Sequence, residues 1–481
     1  MTSMTHDPAV DPRILSEEET RQIIDRVRSF VTGGGTSTVE VGSWWSGELR
    51  WARNRVSLTS DRRNISVTIQ RVVGHSVGSA STNQLDDVSL ESMVRAAERS
   101  ARLKTVASME DFKLPEPKLP KVSPLIWSDA TFNATAKMRG GLATTLAQNA
   151  EAKGMQSAGF MRMAGATSAL SMRQSHDEAD VGREVGGART SFRYNRYTVG
   201  ECSMTVRHPQ GIGSGWAGLS GYDWSAIDGA RLADRALQKC LASLNPVAVE
   251  PGRFTVILEP QAVYDFIQPL MLSTSRQAAE AGQGPFVDHF DRTLRLYRTK
   301  LGMKVMDDRV TISHDPNDPL LGIVPRDEGL GPITWFDHGI LKTLTNDRLN
   351  HSLPLLNEDL PSVRRNSFRM SGGAATVDDM IASTERGLVV TRFANVRMLD
   401  GNSVLCTGLS RDGIWLVEKG KISKPVKNMR FRESPLFTLN NLLELGTPVP
   451  VFASDRSEPF SAIVPPIKAQ DFSFTSLADA V

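Results

Sequence analysis

Residues 314–344, HDPNDPLLGIVPRDEGLGPITWFDHGILKTL, and residues 407–428, TGLSRDGIWLVEKGKISKPVKN, decide how this chain is read. Short apolar runs are cut by Asp327-Glu328-Gly329, Asp337-His338-Gly339 and Arg411-Asp412-Gly413. Asp and Gly suit tight turns because they accept backbone conformations that most side chains avoid. Asp307-Asp308 and Asp400-Gly401-Asn402 carry the same signal outside the two stretches. Frequent turns between short strands predict a barrel- or sandwich-like domain over 251–481. It opens with the strand FTVIL from Phe254 and a helix starting near Pro260, and a further helix is expected at Val377 to Thr384.

Upstream, residues 16–31, SEEETRQIIDRVRSFV, set Ser16 and three acids at a helix N-terminus and align Ile23, Ile24, Val27 and Val31 on one face. After Gly33-Gly34-Gly35 the apolar period falls to two, at Val39 and Val41 and then Ile65, Val67 and Ile69, so several short antiparallel strands are expected. A second helix begins near Ser89 and repeats Leu90, Met93, Val94, Ala97 and Ala101. Helix, strands and helix make an N-terminal α+β domain over 16–105. Pro115, Pro117, Pro120 and Pro124 mark an extended linker over 106–130. Residues 131–153 read as one helix, strands are expected around Gly159 to Met172 and Ser191 to Val206, and a helix near Ala226 to Leu244 closes a middle α+β domain over 131–250. The fold class is therefore α+β, with the strand-rich domain last.

Lys and Arg total 56 against 54 Asp and Glu, so no long-range field draws the chain to nucleic acid or to an anionic membrane. The run KNMRFRES, 427–434, sets one Phe among three bases, too little for a base-stacking platform. The N-terminus has no apolar signal region, and no stretch nears the roughly 18 apolar residues of a membrane span. A cytoplasmic location is the expectation. Cys202, Cys240 and Cys406 are odd in number and far apart, which fits reduced thiols packed as small apolar groups.

The order of hairpin motifs resembles the C-terminal region of the TldD/PmbA family, also called the modulator of DNA gyrase family. Its Asp-Glu-Gly turn is matched by Asp327-Glu328-Gly329, and its Gly-x-Leu-Lys hairpin by Gly339-Ile340-Leu341-Lys342. Its Gly-x-[Ile/Leu]-x-Glu-x-Gly-x-Ile hairpin is matched by Gly413 through Ile422. NRVSLTSDRRNISVTI, 54–69, resembles the family's first domain and residues 130–245 its second, so the resemblance covers nearly the whole chain. The resemblance implies one of two chemical fates. TldD-like members carry a His-Glu-x-x-x-His zinc motif and act as peptidases; PmbA-like members keep the fold without the motif and serve as partners.

A zinc peptidase site needs imidazoles or a thiolate on one side of the metal and a carboxylate to deprotonate its water. The nearest two histidines here, His338 and His351, are 13 positions apart, so no local motif exists. Aligned from FTVIL, the family motif falls on Gln268, Pro269 and Ser273. Proline cannot act as a base, and Gln and Ser are poor zinc ligands. The family's further thiolate lies near the C-terminus, where this chain has VFASDRSEPFSAIVPP, 451–466, and no cysteine. No catalytic or metal-binding residue is assigned to the chain, and zinc is expected in a TldD-like partner.

The resemblance also sets Asn366 near a substrate channel, where its amide would pair with a peptide backbone. Arg364 and Arg365 would bind a carboxylate or form a solvated loop. Arg364, Arg365 and Asn366 are thus the candidate peptide-binding residues, while Asp327 and Glu328 either cap a turn or form an acid pair. Cys406 reads as buried rather than nucleophilic, Ser313-His314-Asp315 as a turn approach rather than a triad, and Gly211 to Trp216 as a turn rather than a phosphate loop.

The expectation is a pseudoenzyme subunit that pairs with a TldD-like zinc metallopeptidase in a heterodimer. It would supply interface and peptide channel for proteolysis of unfolded or small modified peptides. The alternative is a homodimeric peptide or small-molecule binding protein without catalysis.

Overall fold

The computed structural model describes residues 14–73, 76–103, 126–175, 189–293, 295–315, 318, 320–321, 332–345, 367–452, 454–455, 458–459 and 462–478. Six antiparallel strands form one sheet in the first half: β1 (Gly35–Ala52), β2 (Arg55–Val73), β3 (Ser76–Thr82), β4 (Gln156–Ser175), β5 (Arg189–Arg207) and β6 (Ser214–Gly221), in the order β3-β2-β1-β4-β5-β6. β1 pairs with β2 on one side and along its whole length with β4 on the other, so the strands of 16–105 and of 131–250 share one sheet. β1 and β2 are far longer than the sequence suggests, at 18 and 19 residues. Most of 55–63 faces water on both sides of the sheet and therefore shows no apolar alternation.

All the long helices of this half lie on one face of the sheet. The odd-numbered residues Val39, Val41, Trp45, Leu49 and Trp51 of β1 project there, because strand side chains alternate. α1 (Glu17–Ser29) and α2 (Asp87–Leu103) cover one end through Ile23, Ile24, Val27, Leu90, Val94 and Ala97. α4 (Ala136–Glu151) and α5 (Gly229–Ala242) cover the other through Leu146, Ala150, Leu232, Ala236 and Cys240. The helix expected over 131–153 is broken: a short α3 (Asp129–Phe132) ends at Asn133, and α4 starts anew with Thr135, whose hydroxyl accepts from the Met138 N–H at 3.2 Å. α5 rests directly on β6. A Cβ added to Gly215 would stand 2.3 Å from both Ala236 O and Cys240 N, which are backbone and cannot swing aside. Gly215→Ala is accordingly expected to destabilise the fold by about 1–3 kcal/mol in urea unfolding; an unchanged midpoint would contradict this packing.

The C-terminal half starts with β7 (Gly252–Leu258), α6 (Pro260–Leu272), α7 (Arg276–Glu280) and the hairpin β8 (Val287–Asp291) and β9 (Leu296–Thr299). Next come β10 (Ile312–His314), β11 (Ile333–Asp337), β12 (Ile340–Leu341), β13 (Phe368–Met370), α8 (Val377–Ala382), β14 (Arg386–Asp400), β15 (Leu405–Glu418), β16 (Lys421–Pro425), β17 (Met429–Glu433) and α9 (Pro435–Asn440). β18 (Leu442–Leu445), β19 (Val449–Pro450), β20 (Ser454–Asp455), β21 (Glu458–Pro459), β22 (Ala462–Val464) and β23 (Ile467–Leu477) complete it. β14, β7, β23, β17 and β15 pair in turn, and β15 pairs back onto β14, closing a barrel. A second sheet runs β12-β11-β10-β13-β22-β19. This is the barrel-like architecture that the turn signals imply.

The hairpins at Asp337-His338-Gly339 and at Lys419-Gly420 form as their sequences suggest, with His338 and Gly339 both at positive φ. Arg411-Asp412-Gly413 makes no turn. It lies inside β15, where Asp412 and Gly413 together oppose Thr391, with φ +56° and +129°, as a β-bulge. The halves are joined by main-chain bonds from Val247 N to Pro425 O and from Lys427 N to Val247 O, and by the Trp415 indole donating to Ala242 O at 3.1 Å. Among the described residues no helix is long and apolar enough to cross a membrane.

Candidate functional site

α6 is the element on which the zinc-motif positions fall. Pro260 starts it, because the first turn has no use for the missing N–H and the fixed φ suits a helix. Ala262, Val263, Phe266, Ile267, Leu270 and Met271 are buried, and the Phe266 ring packs among Phe393, Phe431 and Phe472 from the barrel at 5.3–6.0 Å. The opposite stripe, Gln261, Asp265, Gln268, Pro269 and Leu272, follows the helical spacing of three and four residues and keeps contact with solvent.

Gln268, Pro269 and Ser273 occupy one end of this stripe. The Gln268 amide lies 3.5 Å from the Tyr264 hydroxyl. Pro269 has no N–H to give the carbonyl of Asp265 one turn back. The Ser273 hydroxyl donates to Pro269 O at 2.8 Å, and Thr274 Oγ1 donates to Met271 O at 2.7 Å, so both hydroxyls satisfy carbonyls at the helix end. An amide, a ring and a hydroxyl spent on its own backbone do not fit a zinc ion. Among the described residues no group of three or more His, Cys, Asp or Glu could hold a metal.

The other end of the stripe holds chemistry that the sequence reading missed. Asp265 keeps some exposure, yet burial pushes its carboxyl up to about 6, opposed by the Gln261 amide donating at 2.9 Å, the charge of Arg392 and the Phe393 N–H donating at 3.0 Å. Arg392 donates through Nε to Asp412 Oδ2 at 2.8 Å and through Nη2 to the same oxygen. Its guanidinium also lies 4.8 Å from the centre of the Trp216 ring, a cation–π contact. The bulge turns the Asp412 side chain inward, where it is fully buried and its Oδ1 has no partner among the described residues. Beside this cluster, Glu259 at the N-terminus of α6 accepts from Lys239 at 2.6 Å and Arg235 at 3.1 Å, tying α5 to α6. Burial lowers the Lys239 pKa, and Glu259 opposes the shift.

One signal for Asp265 was present: it is the single acid in the apolar run VYDFIQPLML. Arg392 and Asp412 are 20 positions apart and meet only through the register of β14 and β15. Arg364, Arg365 and Asn366, like Asp327 and Glu328, lie outside the described residues.

His314 is 2% exposed on β10, and its Nδ1 lies 3.2 Å from Ser367 O. A carbonyl only accepts, so Nδ1 carries the proton; desolvation lowers the pKa and keeps the ring neutral. The three thiols are buried, and burial pushes Cys202 up to about 12 and Cys240 and Cys406 up to about 11. Thiolate is the reactive form. Ellman's reagent is expected to label none of them within minutes in the native protein and all three after unfolding; rapid labelling of Cys406 would restore it as a nucleophile.

Residues 251–476 match the family model described as PmbA/TldA metallopeptidase C-terminal domain, and residues 41–104 match PmbA/TldA metallopeptidase domain 1. Together the two cover more than half of the chain. A "Metalloprotease TldD homolog" of Haemophilus influenzae is 27% identical over 235 residues, 44% of this chain and 46% of that relative. The chain therefore matches about half the length of that curated relative. A solved structure from Bacteroides thetaiotaomicron, called a putative modulator of DNA gyrase, superposes with a TM-score of 0.73 at 18% identity, covering 96% of this chain and 100% of that one. TldE from Thermococcus kodakarensis gives 0.71 at 15% identity, covering 95% and 99%. At such identities the two structures show a shared fold alone.

Proposed function

This chain belongs to the PmbA/TldD metallopeptidase family, and from that premise we propose that it is a non-metal-binding subunit working with a TldD-like zinc peptidase. One observation carries the reading. α6 keeps its buried, barrel-packed position, while Gln268, Pro269 and Ser273 stand where the resemblance sets the two ligands and the base. A helix whose scaffold is intact and whose reactive groups are all replaced suits a subunit that supplies shape. The chain would contribute interface and channel wall, aligning an unfolded or small modified peptide for a partner that brings zinc and carboxylate. Arg364, Arg365 and Asn366 are proposed to take part in that alignment.

The test is metal content, mass and peptidase activity of the purified chain, alone and after co-expression with a TldD-like protein. Zinc and peptide hydrolysis are expected only in the mixed assembly. Stoichiometric zinc in the isolated chain would overturn the proposal, and a metal-free homodimer indifferent to the TldD-like protein would make it a binding protein instead.

A further inference from the structure

Between β6 and α6 the chain holds a short extended piece of itself. Val451 donates its N–H to Ala462 O at 3.1 Å and accepts from the Ser220 hydroxyl at 3.2 Å through its carbonyl. At Phe452, the Gln261 side chain forms a two-way clamp: its Oε1 accepts from Phe452 N–H, and its Nε2 donates to Phe452 O, both at 3.1 Å. A carboxamide matched to the N–H and C=O of one residue holds an extended peptide without reading its sequence. The Phe452 ring meets the Trp216 ring edge-on, with centroids 6.0 Å apart, and a Cβ on Gly218 would stand 3.2 Å from Phe452 Cβ. Asp265 fixes the clamp's sense. As an acceptor 2.9 Å from Gln261 Nε2, it keeps the amide nitrogen toward itself and Phe452 O, leaving Oε1 for the Phe452 N–H.

We infer that Gln261 and Trp216 form a binding subsite for one aromatic or large apolar residue of an extended peptide, and that Val451–Phe452 is its internal occupant. The inference rests on the peptide-handling reading above and adds a location and a side-chain preference. Gln261 and Trp216 bind, and Asp265 is a positioning residue. An incoming peptide displaces Phe452, so the apparent affinity of the unaltered chain is lowered by the fraction of time the subsite is filled.

The test uses the full purified chain and Ala-Ala-Phe-Ala-Ala carrying fluorescein at its N-terminus and an amide at its C-terminus, with the all-alanine peptide labelled in the same way as comparison. Phe452→Ala is expected to bind the Phe peptide about tenfold tighter than the unaltered chain, with a smaller gain for the all-alanine peptide. Adding Gln261→Met to that variant should abolish the gain. In the unaltered chain, hydrogen exchange at the Phe452 amide should quicken when the Phe peptide is added, and this reading holds even where a variant folds poorly. Equal affinity with and without Phe452, unchanged exchange at that amide under saturating peptide, or no binding by any form would each overturn the inference. All of these are read on the isolated chain, so they leave the mixed-assembly result to stand or fall separately.

Discussion

Arg392→Met is expected to lower the free energy of unfolding by about 3–5 kcal/mol, read as a fall in the urea midpoint. Asp412 is fully buried and both of its short contacts to a cation go through Arg392; Arg411 lies 3.8 Å away, and Lys239 makes no ion pair with it among the described residues, acting only through its charge. Removing the guanidinium strands a carboxylate where water cannot solvate it. Methionine fills part of the space against Trp216 but leaves the charge. Because the loss comes from the stranded charge more than from the pair's own attraction, adding Asp412→Asn should restore most of the stability. Asn is the right companion, since position 412 has φ +56°, which Asn tolerates far better than Ala or Leu. A loss below about 1 kcal/mol, or a double variant no better than the single one, would mean that groups other than Arg392 compensate the Asp412 carboxylate in the native protein.

Asp265→Asn should act in the opposite direction, and only above mildly acidic pH. The folded protein holds this carboxyl's pKa up at about 6 against an ordinary 3.8. A raised acid pKa means that the native state keeps its proton longer than the unfolded chain does. Native stability from this group is therefore greatest below the ordinary value, falls as pH rises between about 4 and 6, and stays low above that. Asn cannot ionise, yet its carbonyl can still accept from Phe393 N–H or the Gln261 amide. The variant should be more stable than the unaltered chain by roughly 2–3 kcal/mol at pH 7.5 and match it near pH 4. Urea unfolding of both proteins at the two pH values makes the comparison, with every other titrating group cancelling between them. The same difference at both values would show that packing, not protonation, sets the effect.

Local chemistry made much of the fold legible. The capping box is an example: Ser16 Oγ accepts from Glu19 N–H, and Glu19 reaches back to Ser16 N–H, starting the first helix where the sequence says it should. Pro260 and the glycines at 339 and 420 likewise act within a few residues of themselves. What escaped the reading depends on distant pairing. β1 meets β4 across more than a hundred residues, and periodicity says nothing about which strand neighbours which. Asp-Gly at 412–413 satisfies a turn and a bulge equally, and only the continued pairing of β14 and β15 selects the bulge. In the candidate site, the replaced positions on α6 could be placed because they sit on one helix. The Asp265–Arg392–Asp412 cluster and the Gln261 clamp join α6 to β14, β15 and a segment near residue 452, so no single stretch of sequence contains them.

The closed barrel also fixes an order of events during synthesis. β7 appears early, at 252–258, but its two neighbours are β14, made more than 120 residues later, and β23, at 467–477. Until the ribosome has released that last strand, β7 and β17 each keep an open edge, and the apolar side of α6 has an incomplete wall. At translation rates of roughly 5–20 residues per second, the segment spends on the order of ten seconds with exposed apolar surface and unpaired backbone. The sheet of the first half and the helices that cover it end with α5 at Ala242, so this half can settle well before. The second half of the nascent chain is where chaperones would bind.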